Sequence, residues 1–354
     1  MGTMKALLLD EYRHLAVVDV PIPQAGPGEV LVRVAACGIC GSDVHGYDGS
    51  SGRRVPPVVM GHEAAGVVAA VGEGVEGFAV GDRVTFDSTV FCGECSFCLR
   101  GDVNLCEKRQ VMGVSCGEYR RAGAFAEYIA VPERIVYALP EAMGFSEAAM
   151  LEAVSVALHA VNVAEMRSGE TVMVIGAGMI GLLVIQAARA AGSARVISAD
   201  IDATRLQLAR EVGADSVIEA SGEALVREVM ELTDGRGVDV VFEAVGRDET
   251  VSAAIDCVRK GGTVVLVGNI APTVTLPLQK VVTRQIRLQG SCASAGEYPE
   301  AIRLIAEETI KVAPLITAVA PLTDGPEWFE RLYGREPNVM KVVLDPREGA
   351  GVER

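Results

Sequence analysis

Positive charge, aromatic side chains and unbroken apolar runs are all scarce in this chain. Its 354 residues carry 32 Lys and Arg against 47 Asp and Glu, a formal charge of -15. Such a surface repels phosphate backbones and anionic lipid, so neither nucleic acid nor a membrane surface is an expected partner. The most apolar run, 172–185, is shorter than the roughly 20 residues a bilayer requires, and glycines interrupt it. The opening segment lacks the apolar core of a signal peptide and meets acid at Asp10 and Glu11. No internal repeat or low-complexity tract stands out.

Aromatics make up only 5% of the chain, whereas half of the residues are apolar and 39 are glycine. That mixture suits a buried parallel sheet with many tight turns and argues against a disordered or collagen-like chain. A chain of this length is expected to form two domains. Nine cysteines, an odd number, five of them in metal-ligand patterns, imply reduced thiols and a cytoplasmic setting.

Residues 4–90 read as short strands broken by glycine and proline turns, and 92–106 as a cysteine-rich loop. From Thr171 the pattern alternates strand and helix. Strand candidates are Thr171–Ile175, 195–199, 216–218, 238–244 and 263–267, with a helical pattern from Ala203 closed by Gly213. This alternation predicts an α/β unit with a parallel sheet covered on both faces. A helix near 298–308 and a final strand at 340–344 follow.

The first of these strands runs into Gly176-Ala-Gly178-Met179-Ile180-Gly181 and then a helical run. The first glycine permits the turn, the second lets a pyrophosphate approach the backbone, and the third allows close helix–strand packing. The phosphates would meet the positive end of that helix. Alone, this motif also fits a glycine turn in an unrelated α/β protein. Its context, with Asp200 ending the next strand, points to NAD, because a carboxylate there bonds the ribose hydroxyls and repels the 2'-phosphate of NADP. Arg205 either offers charge to such a phosphate or packs against the adenosine. Val245, just after the strand candidate 238–244, and Val267, at the end of 263–267, complete the cofactor-binding candidates.

Two metal patterns stand apart. Cys92, Cys95, Cys98 and Cys106 lie on one loop, and four thiolates close a tetrahedron around a structural zinc. Two disulfides are the alternative, disfavoured in a reducing compartment. The second set is dispersed: Cys40, the pair His62-Glu63, and Glu152. One thiolate, one imidazole and one or two carboxylates suit an open catalytic zinc, although spacing alone does not join them.

Cys37-Gly-Ile-Cys40-Gly-Ser-Asp43-Val-His45, Gly61-His-Glu63-Ala-Ala-Gly66, the four-cysteine lobe, Gly123-Ala-Phe-Ala-Glu-Tyr128 and the glycine motif occur in that order. Together they resemble the zinc-containing medium-chain alcohol dehydrogenase family. The resemblance runs from about residue 4 to residue 345. It implies a GroES-like, β-rich catalytic domain at 1–153 and 290–354, a Rossmann domain at 154–289, and an active site in the cleft between them. The segment from Leu151-Glu152 to His159 is similar to the sorbitol or polyol dehydrogenase group, in which a glutamate replaces a cysteine of simple alcohol dehydrogenases. The sequence departs from that group at Ala153, in place of a proline. It also departs at Gly46, in place of an aromatic with Tyr47 adjacent, and at Ala293, in place of a substrate-binding arginine. These changes remove two polyol contacts and argue against sorbitol itself.

By the resemblance, Cys40 and His62 bind a catalytic zinc, with Glu63 and Glu152 sharing the carboxylate role, and each chain holds two Zn2+ in all. The substrate is a polyol or secondary alcohol, oxidised to the ketone with hydride passing to NAD. Ser42 takes the released proton and passes it through the cofactor ribose to His45. Asp43 orients a ligand, and Lys341 resembles a pyrophosphate-contacting residue. Alternatives are a simple alcohol, butanediol or L-threonine dehydrogenase, a zinc-free quinone reductase, or a non-catalytic NAD-binding protein. A homo-oligomer, tetramer or dimer, is implied, with strand 263–267 near the sheet edge. His159 reads as a packed helix residue, His14 as solvated, and Cys37, Cys116, Cys257 and Cys292 as thiols outside the metal patterns. The pairs Arg53-Arg54 and Arg120-Arg121 read as solvated loops.

Overall fold

A computed structural model describes residues 2–117 and 120–347. They form two compact units. The first takes the described residues up to Glu152, then Tyr298–Ala306 and those from Val312 onward, and the second takes 153–297 with 307–311. The second unit therefore reaches past the 154–289 read from sequence.

The first unit is built on a seven-stranded sheet ordered Val136–Ala138, Arg83–Phe86, Glu63–Val71, Glu29–Gly38, Lys341–Asp345 and Ile316–Pro321, with Tyr128–Pro132 also paired to Glu29–Gly38. Glycine- and proline-rich turns keep these strands short, and alternating Val and Ala side chains supply a core around Val32, Val34, Phe86 and Phe125. The strand Glu29–Gly38 has antiparallel neighbours on both sides. Gly38 pairs with Glu63 in one and with Val343 in the other. The hairpin Thr3–Glu11 and His14–Pro21 packs as a separate sheet with Val58–Val59.

The second unit is a six-stranded, all-parallel sheet in the order Ser216–Glu219, Arg195–Asp200, Thr171–Ile175, Val238–Glu243, Val258–Leu266, Arg287–Gly290. The order reverses between Thr171–Ile175 and Val238–Glu243, the switch point at which doubly wound sheets bind ligands. The strand expected at 263–267 is one place in from the edge, which belongs to Arg287–Gly290.

Among the described residues, one helical stretch, Phe145–Ala164, is long and apolar enough to cross a bilayer by length and composition. However, 67% of its apolar window is buried inside the protein.

Candidate active site and cofactor-binding residues

The register of three strands brings the dispersed metal candidates together. Because Gly38 faces Glu63, Cys40 lies just beyond one strand end while His62 lies just before the start of the next. Lys341 begins the strand on the other side, where the Ile39 amide donates to Val342 O at 2.9 Å. Ligand atoms of Cys40, His62 and Glu63 all lie within 4.8 Å of one another. His62 Nδ1 is buried, makes no hydrogen bond, and stands 3.4 Å from Asp43 Oδ1. A thiol, an imidazole and a carboxylate at this spacing suit a zinc ion, and three donors leave a tetrahedral ion one position for substrate.

Cys40 caps the helix Gly41–Tyr47, and its amide donates to Asp43 Oδ2 at 3.2 Å. Asp43 is fully buried. Burial opposes its charge, but His62 and Arg54 outweigh that and hold its carboxyl well below the usual range. Burial likewise opposes charge on His62, whereas Asp43 and Cys40 push its pKa up. Ser42 and His45 stand three residues apart on the same helix, hence on one face, and both are exposed.

Glu152 lies in the first turn of the helix Leu151–Ala164 and accepts a hydrogen bond from Ser88 Oγ at 3.2 Å. It lies outside the three-donor group. Burial and the nearby Glu63 raise its pKa against the opposing pull of His62. Lys341 is only 2% exposed; its Nζ donates to Glu63 Oε2 at 2.5 Å and to Ile39 O at 3.1 Å. The buried amine is thus engaged by a carboxylate and a carbonyl, alongside the pyrophosphate contact that the resemblance implies for it.

In the cysteine lobe, Cys95 and Cys98 sulfurs are 3.5 Å apart and those of Cys92 and Cys98 3.9 Å. A disulfide is far shorter. Four sulfurs at about 2.3 Å from zinc would stand about 3.8 Å apart, so the lobe fits the ion. The amides of Cys98 and Glu107 pull the Cys95 thiol down to about 6, whereas burial pushes Cys98 up to about 12. The lobe's helix, Ser96–Arg100, buries none of its own residues.

In the second unit, Gly176 adopts φ +95° after Thr171–Ile175, and Gly178 caps the helix Met179–Ala190 that holds Met179, Ile180 and Gly181. A Cβ on Gly181 would fall 1.8 Å from Gly176 O, so only glycine fits. Asp200 Oδ2 accepts the Ala177 amide at 2.6 Å, and Oδ1 accepts the amides of Ile201 and Asp202. Arg205 is exposed and pairs with Asp202 at 3.6 Å. Val245 packs against the glycine turn, and Val267 follows Val258–Leu266, its amide donating to Glu243 O at 2.9 Å. Sequence reading missed Glu243, a buried carboxylate whose Oε1 accepts the amides of Val245 and Gly246, both at 2.9 Å. An acid closing the apolar strand Val238–Glu243 was the available signal.

Other expectations resolve individually. His159 is buried, with Nδ1 2.8 Å from Glu297 Oε1, and His14 is exposed beside Asp10. Tyr47 is buried; its hydroxyl bonds Arg13 O at 2.7 Å and Glu330 Oε1 at 2.6 Å, so it does not replace the aromatic missing at Gly46. Arg54 and Arg121 depart from the solvated reading. Arg54 is 3% exposed, and Arg121 pairs with Glu29 at 2.8 Å.

Residues 26–141 match the family described as "Alcohol dehydrogenase GroES-like domain", and residues 180–307 match "Zinc-binding dehydrogenase". The chain is 36% identical to D-arabitol-phosphate dehydrogenase of Enterococcus avium, over 94% of each chain. It is 33% identical to sorbitol dehydrogenase of Bacillus subtilis, over 97% of each. A solved zinc-binding dehydrogenase from Sinorhizobium meliloti, bound to NADP, superposes with a TM-score of 0.87 at 33% identity, covering 98% of this chain and 100% of that one. These likenesses span both units and agree with the metal-ligand and dinucleotide motifs. The chain is an oxidoreductase using zinc and a nicotinamide dinucleotide on a small molecule, and it belongs to the zinc-containing medium-chain alcohol dehydrogenase family.

Proposed function

We propose that the protein oxidises a polyol or secondary alcohol to its ketone, reversibly, with NAD. In this reading Cys40, His62 and Glu63 hold a catalytic zinc, and Cys92, Cys95, Cys98 and Cys106 hold a structural one. The convergence of the Cys40, His62 and Glu63 donor atoms carries it. When bound, zinc supplies Lewis acidity toward an oxygen and NAD supplies a hydride acceptor. Asp43 steadies His62 from behind, and Lys341 balances the charge of Glu63. The exclusion of Glu152 from the donor group supports Glu63 as the direct ligand and Glu152 as an acid–base partner. Ser42 receives the proton leaving the substrate hydroxyl, and His45, exposed on the same helix face, delivers it to solvent. Gly176, Gly178, Met179, Ile180 and Gly181 cradle the pyrophosphate, with Val245 and Val267 beside the nicotinamide half and Arg205 beside the adenosine. Asp200 favours NAD over the NADP carried by the Sinorhizobium relative.

Nine free thiols support a cytoplasmic setting, and the acidic surface disfavours nucleic acid and membrane. The edge strand Arg287–Gly290 supports a homo-oligomer, dimer or tetramer, paired across that edge. The names of the two curated relatives support polyols and their phosphates over simple alcohols.

The test combines metal analysis with a panel of xylitol, D-arabitol, D-arabitol phosphate, 2,3-butanediol, L-threonine and ethanol, scored by NADH appearance. Two zinc atoms per chain and turnover of a polyol or diol are expected. Activity confined to ethanol overturns the substrate class, and activity that survives complete removal of zinc overturns the metal assignment.

A further inference from the structure

Arg53 and Arg54 are neighbours in sequence but not in environment: Arg53 is exposed, whereas Arg54 is inserted into the first unit. Arg54 Nη2 donates to Asp43 Oδ1 at 2.9 Å and to Ser42 Oγ at 3.2 Å. The absent side chain of Gly46 makes room for it. A Cβ there would sit 2.1 Å from Arg54 Cγ and 2.8 Å from Arg54 Cβ. The volume that a side chain at position 46 would need is therefore taken by the stem of Arg54.

We propose that Arg54 is a positioning residue that aligns Ser42 and Asp43 together, admitted by Gly46. The inference rests on the roles given above to Ser42 and His62. A guanidinium only donates, so Ser42 Oγ accepts from it. That leaves the hydroxyl one lone pair for the substrate proton and its own hydrogen to pass on. On the other side, the same guanidinium nitrogen holds Asp43 Oδ1, the oxygen that stands 3.4 Å from His62 Nδ1, and so helps aim the imidazole at the metal centre.

The experiment uses the zinc-loaded enzyme with NAD and the best substrate of the panel, comparing Arg54→Met, Arg54→Lys, Gly46→Ala and the Gly46→Ala/Arg54→Met double variant. Steady-state kinetics and zinc transfer to a chromophoric chelator are both read. Arg54→Met is expected to lower kcat by roughly 10–100-fold, with a much smaller change in KM, and to weaken zinc retention about tenfold. Lysine restores zinc retention more than kcat, because one amine cannot serve both oxygens in the same geometry. Gly46→Ala keeps the charge but displaces the stem, so it lowers kcat in the native background and adds little once Arg54 is gone. Should Arg54→Met fail to fold, Gly46→Ala carries the test alone. Native kcat and zinc retention in Arg54→Met, native kcat in Gly46→Ala, or losses that simply add in the double variant overturn the inference. A native enzyme without bound zinc or NAD-linked turnover overturns the site reading itself, and this inference with it.

Discussion

In the proposed reading, the setting of one carboxylate, Asp200, governs cofactor choice. Its two oxygens accept the amides of Ala177, Ile201 and Asp202, which fixes the charge beside the glycine turn. A ribose with free hydroxyls can donate to it, whereas a 2'-phosphate meets like charge. Hydrogen bonds to charged groups contribute about 1.5–3 kcal/mol, so Asp200→Ala is expected to raise KM for NAD roughly 10–100-fold. Initial rates with both dinucleotides check this, and an unchanged NAD/NADP ratio would remove Asp200 from cofactor selection. Other single residues were less legible. Arg54 read as half of a solvated pair because nothing in the local sequence reveals that Gly46 leaves a gap for its stem. The partner of Lys341 was hidden for a different reason: Glu63 lies 278 residues away and meets it only through strand register.

Among the elements, the cysteine lobe depends most on what it binds. Its helix buries none of its own residues, so the proposed structural metal would supply much of the local folding energy. Stripping the metal with a chelator is expected to expose Arg100 and Lys108 to trypsin well before the rest of the chain, as seen by mass spectrometry of the first fragments. Cys98→Ser should reproduce that cleavage while leaving NAD binding intact. An equally resistant stripped lobe would contradict a structural metal. The alternation of apolar strands and helices made the parallel sheet legible, because buried strands such as Thr171–Ile175 are continuous apolar runs. The edge strand Arg287–Gly290 was missed: four residues with an arginine and a glutamine carry no such run, and parallel pairing to Val258–Leu266 defines it.

For the molecule as a whole, acid stability follows from carboxylates whose partners outweigh burial. Burial would raise Glu297, but His159 and the Ala295 amide hold it below the usual carboxylate range, and Arg259 and the Thr171 amide do the same for Asp239. A carboxyl depressed in the folded state stabilises above its unfolded pKa, about 4. That contribution is lost as pH falls through the lower, folded value. Unfolding free energy is therefore expected to be level near neutrality and to fall below about pH 4. Glu297→Gln should cost about 1–3 kcal/mol at pH 7, and that cost should shrink as pH falls below about 4. Denaturant titrations across that range check it, and a constant difference between the two proteins would show that the pair with His159 is not the source.

The strand Lys341–Asp345 also has a consequence for biosynthesis. Cys40, His62 and Glu63 leave the ribosome early, yet the amine that neutralises Glu63 is translated hundreds of codons later. Until then a nascent chain must keep that acid in water or pair it with a metal cation. Messages cut short before codon 341 would yield polypeptides with every expected ligand but without the strand that joins Glu29–Gly38 to Ile316–Pro321.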